Sequence, residues 1–253
     1  MAGGAKDDRG VARRLLDVLA AFERDDAPAL TLTQIADRAS LPMATAHRIV
    51  RELTDWGALE HTSDGAIRLG RRLWRLGTRY PPARTLRQVA LPFLEDLLAL
   101  TRQNVQIAIR DGLAALYVER LTSRDSVDVI ADVGRRLPLH STGVGLVLLA
   151  HGPADLLDQV VAAGPKRYLE ATMTTAAELR PRLDRIRREG IALTRDEMTL
   201  GSASIAAPVR DAKGSVVAAL SIIIPSSQQP EPRYELAVRL AATGISRALG
   251  WSP

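Results

Sequence analysis

The stretch "TLTQIADRASLPMATAHRIVRELTDWG", residues 31–57, constrains this chain more than any other. Two short helical patterns stand on either side of a break of three or four residues, so the second must cross the first rather than continue it. Thr31 and Gln34 have the spacing of a capping box, which starts the first helix and carries it to about Ala39. Pro42 suits the first turn of the second, where its missing N–H has no intrahelical partner. On a 3.6-residue wheel Ala46, Ile49, Val50 and Leu53 form the buried stripe. Ala44, Arg48 and Arg51 point the opposite way, with Thr45, His47 and Glu52 on the flanks.

The flanking sequence completes a known arrangement. In "VARRLLDVLAAFER", residues 11–24, Val11, Leu15, Val18, Leu19 and Phe22 recur at helical spacing until Asp25, Asp26 and Pro28 break the pattern. After Trp56-Gly57, "ALEH" and "AIRLG" read as two short strands joined by "TSDG", whose Asp64-Gly65 is a hairpin turn signal. Three helices and a hairpin predict a winged helix-turn-helix over residues 1–69. In that arrangement the N-terminal half of the second helix of the pair enters a major groove. Thr45, His47 and Arg48 are then the base readers, with Ala44 placed to meet a thymine methyl. Arg51, Arg68 and Arg71 meet phosphate, which positions a domain without reading sequence. The other reading of the same residues is an interaction domain without nucleic acid.

Charge agrees with a polyanionic partner without demanding one. The net charge is +5, and the clearest cluster is "RLGRRLWRLGTR", with Arg68, Arg71, Arg72, Arg75 and Arg79 and no acid. A second Arg-rich run, "LRPRLDRIRREG", reads as a solvated helix face. Cysteine is absent, which removes disulfides and thiolate chemistry. The longest apolar runs, "VGLVLLA" and "SVVAALSIII", fall short of the roughly 20 residues of a membrane span. The N-terminal segment has no signal-peptide pattern, so the expectation is a cytoplasmic protein, nucleoid-associated through DNA, with no membrane contact.

From Gly70 the pattern is helical until "YPPART", Tyr80 to Thr85, where Pro81 and Pro82 predict a broken linker, residues 70–85. A second domain, 86–253, opens with "LRQVALPFLEDLLALTRQ" and continues into strand-like runs around Asp111-Gly112 and a further strand, "SVDVIADV". Helices are expected at 142–150, 153–163 and over "TAAELRPRLDRIRREG", followed by "IALT", by "ASIAAPVRD" and "SVVAALSIII" around Lys213-Gly214, and by a final helix from about Tyr234 to Leu249. That order predicts an α+β domain with a mostly antiparallel sheet.

Five segments, "TLTQIADRASLPMATAHRIVRELTDWG", "IRLGRRLWRLG", "RRLPLHSTGVGLVLLA", "EGIALTRDEMTLGSASIAAPV" and "GSVVAALSIIIP", together resemble the IclR family of bacterial transcription regulators over essentially the whole chain. The resemblance implies a winged helix-turn-helix, a linker helix and a GAF-like α/β domain that binds a small organic or aromatic acid. It also implies dimers that pair into tetramers, a pseudo-palindromic operator in double-stranded DNA, and no cofactor, metal or catalytic residue. Carried over by position, the effector site comprises Thr142, Gly143, Val144, Thr194, Asp196, Ser204 and Ser221. Gly143 and Val144 would offer backbone amides to an anion at a helix start. Ile223 and Leu146 stand where some members carry serine and a cation, which favours a larger, more apolar effector than a two- or three-carbon acid.

Other readings of these residues remain. Thr142 and Gly143 fit a helix cap and a close-packing site, His140 a hydrogen-bonded structural histidine, and Ser204 and Ser221 satisfied strand hydroxyls. Asp196 and Glu197 fit a solvated pair or partners of Arg195 or Arg210. The alternatives to a regulator are a small-molecule-binding or scaffold protein without DNA, and an enzyme. For the last, His47, His61, His140 and His151 show no metal spacing, and no nucleophile elbow or phosphate loop appears.

Overall fold

The computed structural model describes residues 10–23, 27–77, 81–123, 132–228 and 231–252. They form two compact units, Met1–Arg84 and Thr85–Pro253.

The first unit contains α1 (Val11–Ala20), a 3-10 turn (Ala21–Glu23), α2 (Leu32–Ala39), α3 (Met43–Trp56), β1 (Leu59–His61), β2 (Ile67–Leu69) and α4 (Arg71–Gly77). Arg24, Asp25 and Asp26 lie outside the described residues. Both halves of the capping box form, with Gln34 N–H donating to Thr31 Oγ1 at 3.2 Å and Thr31 N–H to Gln34 Oε1 at 2.8 Å. Ser40, in the left-handed region at φ 52°, ends α2 and turns the chain toward Pro42, the N-cap of α3. Gly57 closes α3 at φ 85°, a conformation that a side chain disfavours. Val18, Ile35, Ala46, Ile49, Leu53, Leu59 and Ile67 form the core. Leu30 and Ile67 exchange backbone hydrogen bonds of 2.7 and 2.8 Å, which ties the β1–β2 hairpin to the segment before α2.

The second unit is built on α5 (Pro81–Thr101), β3 (Asn104–Asp111), β4 (Ala114–Leu121), β5 (Arg136–Pro138), α6 (Gly143–Ala150), α7 (Leu156–Ala162), α8 (Ala176–Glu189), β6 (Ala192–Arg195), β7 (Ser202–Arg210), β8 (Val216–Pro225) and α9 (Pro232–Ala248). Among the described residues its strands form one sheet of order β5-β4-β3-β8-β7-β6, in which every neighbouring pair is antiparallel. Side chains alternate between the faces. Ile107, Ile205, Ile222 and Ile224, all fully buried, point one way, where Ser246 Oγ of α9 accepts from Arg210 N–H. Ala206, Ala219, Tyr117 and Ala192 point the other way, into a core shared with α6, α7 and α8.

The prolines of "YPPART" open a helix rather than interrupt one: α5 starts at Pro81. A proline is tolerated in a first helical turn, where the N–H it lacks would have no partner. The strand β5, inside "RRLPLH", is too short to show an alternation and carries no sequence signal of its own. Of "SVDVIADV", residues 126–131 lie outside the described residues, and Asp132 and Val133 belong to no strand.

Candidate functional site

The outward face of α3 is assembled by the turn before it. Ala46, Ile49, Val50 and Leu53 are buried in the first unit, which leaves Ala44, His47, Arg48 and Arg51 exposed and Thr45 half-buried. Arg48 lies 3.5 Å from Glu52, one helical turn on, with both side chains about half exposed. An exposed pair of this type contributes only about 0.3–0.5 kcal/mol, so a stronger anionic partner displaces it. Arg68 and Arg71 share one acceptor: Glu60 takes 3.1 Å from Arg68 Nη2 and 2.9 Å from Arg71 N–H. These donors, Arg71's backbone first, hold the Glu60 carboxyl below its ordinary range. The Arg71 side chain nevertheless stays 93% exposed. Arg72 is spent inside the unit, its guanidinium 4.0 Å above the Trp56 ring. The hairpin turn is fixed by Thr62, whose hydroxyl bonds to Asp64 and to the Ala66 carbonyl.

In the second unit a cavity of about 50 Å³ lies between the sheet and the start of α6. Sheet register explains its polar lining. Thr194, Ser204 and Ile223 form one cross-strand row, and Gln106 and Ser221 belong to the next, two residues along the strands, so all five face α6. Tyr117, Leu137, Ser141, Glu197 and Met198 close the walls. Gly143 is required here, because a Cβ on it would overlap Ser204 Oγ and come within 3.1 Å of Ser204 Cβ. Gly143 and Val144 stand in the first turn of α6, where N–H groups have no intrahelical acceptor.

Thr142 lines the cavity, yet its hydroxyl is used in the fold: it accepts from Gly145 N–H at 3.1 Å and donates to the Pro138 carbonyl at 3.1 Å. Burial pushes the Tyr117 phenol pKa up, against a hydrogen bond with Thr142. The acid at the wall is Glu197, not Asp196. Asp196 adopts φ 50°, and its carboxylate accepts from Gly201 N–H at 2.7 Å in the turn between β6 and β7, away from the cavity. Left-handed backbone reverses the side-chain direction there, so the predicted site residue Asp196 becomes a turn residue. Glu197 is 5% exposed and forms its ion pair with the Arg182 side chain at 3.2 Å, while Arg195 meets it through the backbone. Burial pushes its carboxyl pKa up, and Arg182 pulls it down.

Three buried atoms of the lining residues have no hydrogen-bond partner: Gln106 Nε2, Glu197 Oε2 and Ser204 Oγ. An unmade bond of this kind costs about 1–3 kcal/mol each, and more at a charge. Their concentration around one cavity leaves it polar groups for water or a ligand to satisfy. Leu146 is fully buried in the core and does not line the cavity, so its apolar character says nothing about the ligand; Ile223 does line it. His140 is structural, with Nε2 3.0 Å from the Lys166 carbonyl and its ring stacked on Tyr168.

Gln106, Tyr117, Leu137, Thr199 and Ser202 were not foreseen in the lining. Gln106 had a signal, a polar side chain that shares one alternation of "NVQIAI" with Asn104.

Residues 11–63 match the IclR helix-turn-helix domain and residues 79–247 match the domain described as "Bacterial transcriptional regulator IclR C-terminal". The chain belongs to the IclR family. Two curated relatives in the family are the HTH-type transcriptional repressor AllR of Salmonella typhi and the HTH-type transcriptional regulator BhcR of Paracoccus denitrificans. AllR is 32% identical over 97% of this chain and 90% of that protein. BhcR is 31% identical over 91% and 83%. An IclR homologue from Microbacterium hydrocarbonoxydans, solved with 4-hydroxybenzoate, superposes with TM-score 0.88 at 36% identity, covering 95% of this chain and 99% of that one. This IclR-family protein is therefore an effector-controlled, DNA-binding transcriptional regulator rather than an enzyme. No helix among the described residues is long and apolar enough to cross a membrane.

Proposed function

We propose that the chain is a repressor whose grip on a pseudo-palindromic operator is released by an aromatic or otherwise ring-sized organic acid. The observation that carries this reading is the cavity beside the first turn of α6, with its unpartnered buried polar atoms. In the assigned division of labour, residues 1–69 bind DNA, 70–85 link, and 86–253 bind the effector. Ala44, Thr45, His47 and Arg48 read bases, and Arg51, Arg68 and Arg71 hold phosphates. Gly143, Val144, Ser204, Ser221 and Thr194 receive the acid, and Thr142 holds the helix start in place. Repression is taken from AllR, and an aromatic acid from the Microbacterium homologue's ligand.

The open space admits a few waters. A ring enters when Met198, unbranched and adaptable, changes rotamer. Ile223 then supplies apolar area to a ring, worth about 25 cal/mol per Å² buried, and nothing comparable to a two-carbon acid. Association is supported by large apolar side chains exposed on each unit: Val11, Leu16 and Trp74 on the first, Leu100, Leu236 and Leu240 on the second. Exposed apolar side chains on both units fit a homodimer or a pair of dimers, present in the cytoplasm on the nucleoid.

The test is fluorescence anisotropy on duplexes selected from a random pool, with benzoates, pyruvate and glyoxylate titrated into the complex. Benzoates should dissociate it at lower concentration than either small acid. Release by pyruvate or glyoxylate at the lower concentration, or no effect of any acid, would overturn the proposal.

A further inference from the structure

The three unpartnered atoms around the cavity differ in what they need. The Gln106 amide nitrogen only donates, a hydroxyl such as that of Ser204 does either, and an ionised carboxylate such as Glu197 only accepts. The first-turn amides of Gly143 and Val144, beside Ser204, add further donors. A ligand with nothing but a carboxylate satisfies the donors and leaves Glu197 Oε2 unmet.

Glu197 is also held in place. Its backbone carbonyl accepts from Thr172 Oγ1 at 2.6 Å, and Thr172 is itself fully buried. Its Oε1 is engaged by Arg182 Nη2 at 3.2 Å, and the same nitrogen donates to the Leu193 carbonyl at the β6 edge. Arg182 is thus anchored on one carboxylate oxygen, while the other has no hydrogen-bond partner in the protein, in a residue that lines the cavity. A buried charge with one oxygen paired and the other free is a preorganised acceptor.

We infer that Glu197 is the specificity-determining residue of this pocket, accepting a hydroxyl or amino hydrogen from an effector whose anionic group docks elsewhere in the same cavity. This rests on the effector-pocket reading above. The ligand class is accordingly an acid that also carries a hydrogen-bond donor. Sites built to satisfy a ligand donor reject the analogue lacking it far more strongly than apolar pockets reject an extra methyl, because the buried acceptor is left unpaired.

Calorimetry on the full chain decides it, with benzoate, its three hydroxy isomers and the corresponding methyl ethers as probes. At least one hydroxybenzoate should bind the wild type about tenfold or more tightly than both benzoate and its own methyl ether. In Glu197→Leu that advantage should shrink to within about threefold, with benzoate bound as well as before or better. Ser204→Ala should weaken hydroxybenzoate and benzoate alike. Equal binding of a phenol and its ether by the wild type, or an advantage that survives Glu197→Leu, would overturn the inference while leaving the pocket intact. Failure of every benzoate to bind would overturn the pocket reading with it. The comparison of phenol with ether needs no substitution, so it stands even if Glu197→Leu does not fold.

Discussion

At the scale of single residues, charge and contact separate groups that look alike in sequence. Arg48 stands mid-face on α3 with only a half-exposed Glu52 at 3.5 Å, so its guanidinium is free to exchange partners. Arg71 is almost fully exposed, and its backbone is fixed to Glu60. Arg48→Ala should therefore cost about 1–3 kcal/mol on the selected operator and relax preference at one base pair. Arg71→Ala should weaken all duplexes alike and lower the salt slope by about 1. Binding isotherms on operator and scrambled DNA at several salt concentrations separate the two. Unchanged affinity for both duplexes with Arg48→Ala would remove that residue from the reading set.

Gly143 shows the same scale inside the second unit. Because a Cβ there collides with Ser204, Gly143→Ala should lose about 1–3 kcal/mol of stability through overpacking. Ser204→Ala removes the nearer of the colliding atoms, so the double variant should recover part of that loss. Urea unfolding of the four proteins measures the coupling, and strictly additive losses would show that the contact is not the cause.

Among the elements, caps and turns decide where helices begin. α8 opens with a complete capping box, in which Thr175 Oγ1 accepts from Glu178 N–H at 3.3 Å and Glu178 accepts from Thr174 and Thr175. These donors, Thr174 N–H first, hold the Glu178 carboxyl well below the usual carboxylate range, at about 2. A carboxyl whose folded pKa is depressed contributes stability that is complete above its unfolded value and is lost as pH falls through the folded one. Glu178→Gln keeps an acceptor but removes the charge. Its unfolding midpoint should lie below wild type at pH 7, and the gap should close between about pH 4.5 and 2. A gap that stays constant over this range would assign the effect to packing. The same logic explains α5, where two prolines that look like a break open the helix instead.

For the whole molecule, two compact units each expose their own large apolar side chains, Trp74 at 72% in the first and Leu240 at 63% in the second. A two-fold assembly copies its symmetry into the DNA, so half-sites should be presented about 34 Å apart, or at multiples of that spacing. Hydroxyl-radical footprints together with sedimentation of the complex test this, and one asymmetric protected region bound by a monomer would contradict it.

What the sequence determined by itself is local. The Thr31–Gln34 box, the Pro42 start, the Asp64-Gly65 turn and the apolar stripe of Ala46, Ile49, Val50 and Leu53 are satisfied by partners within a few residues, so spacing alone reveals them. The glycine at the start of α6 was legible for the same reason, as a capped helix start. The pocket was only partly legible. Ser204 and Ser221 share a face because β7 and β8 pair in a particular register, Gln106 joins them from a strand nearly a hundred residues earlier by the numbering, and Glu197 replaces Asp196 because one residue turns left-handed. Register is fixed by long-range strand pairing and by burial on both faces of the sheet, and no short window of sequence contains it.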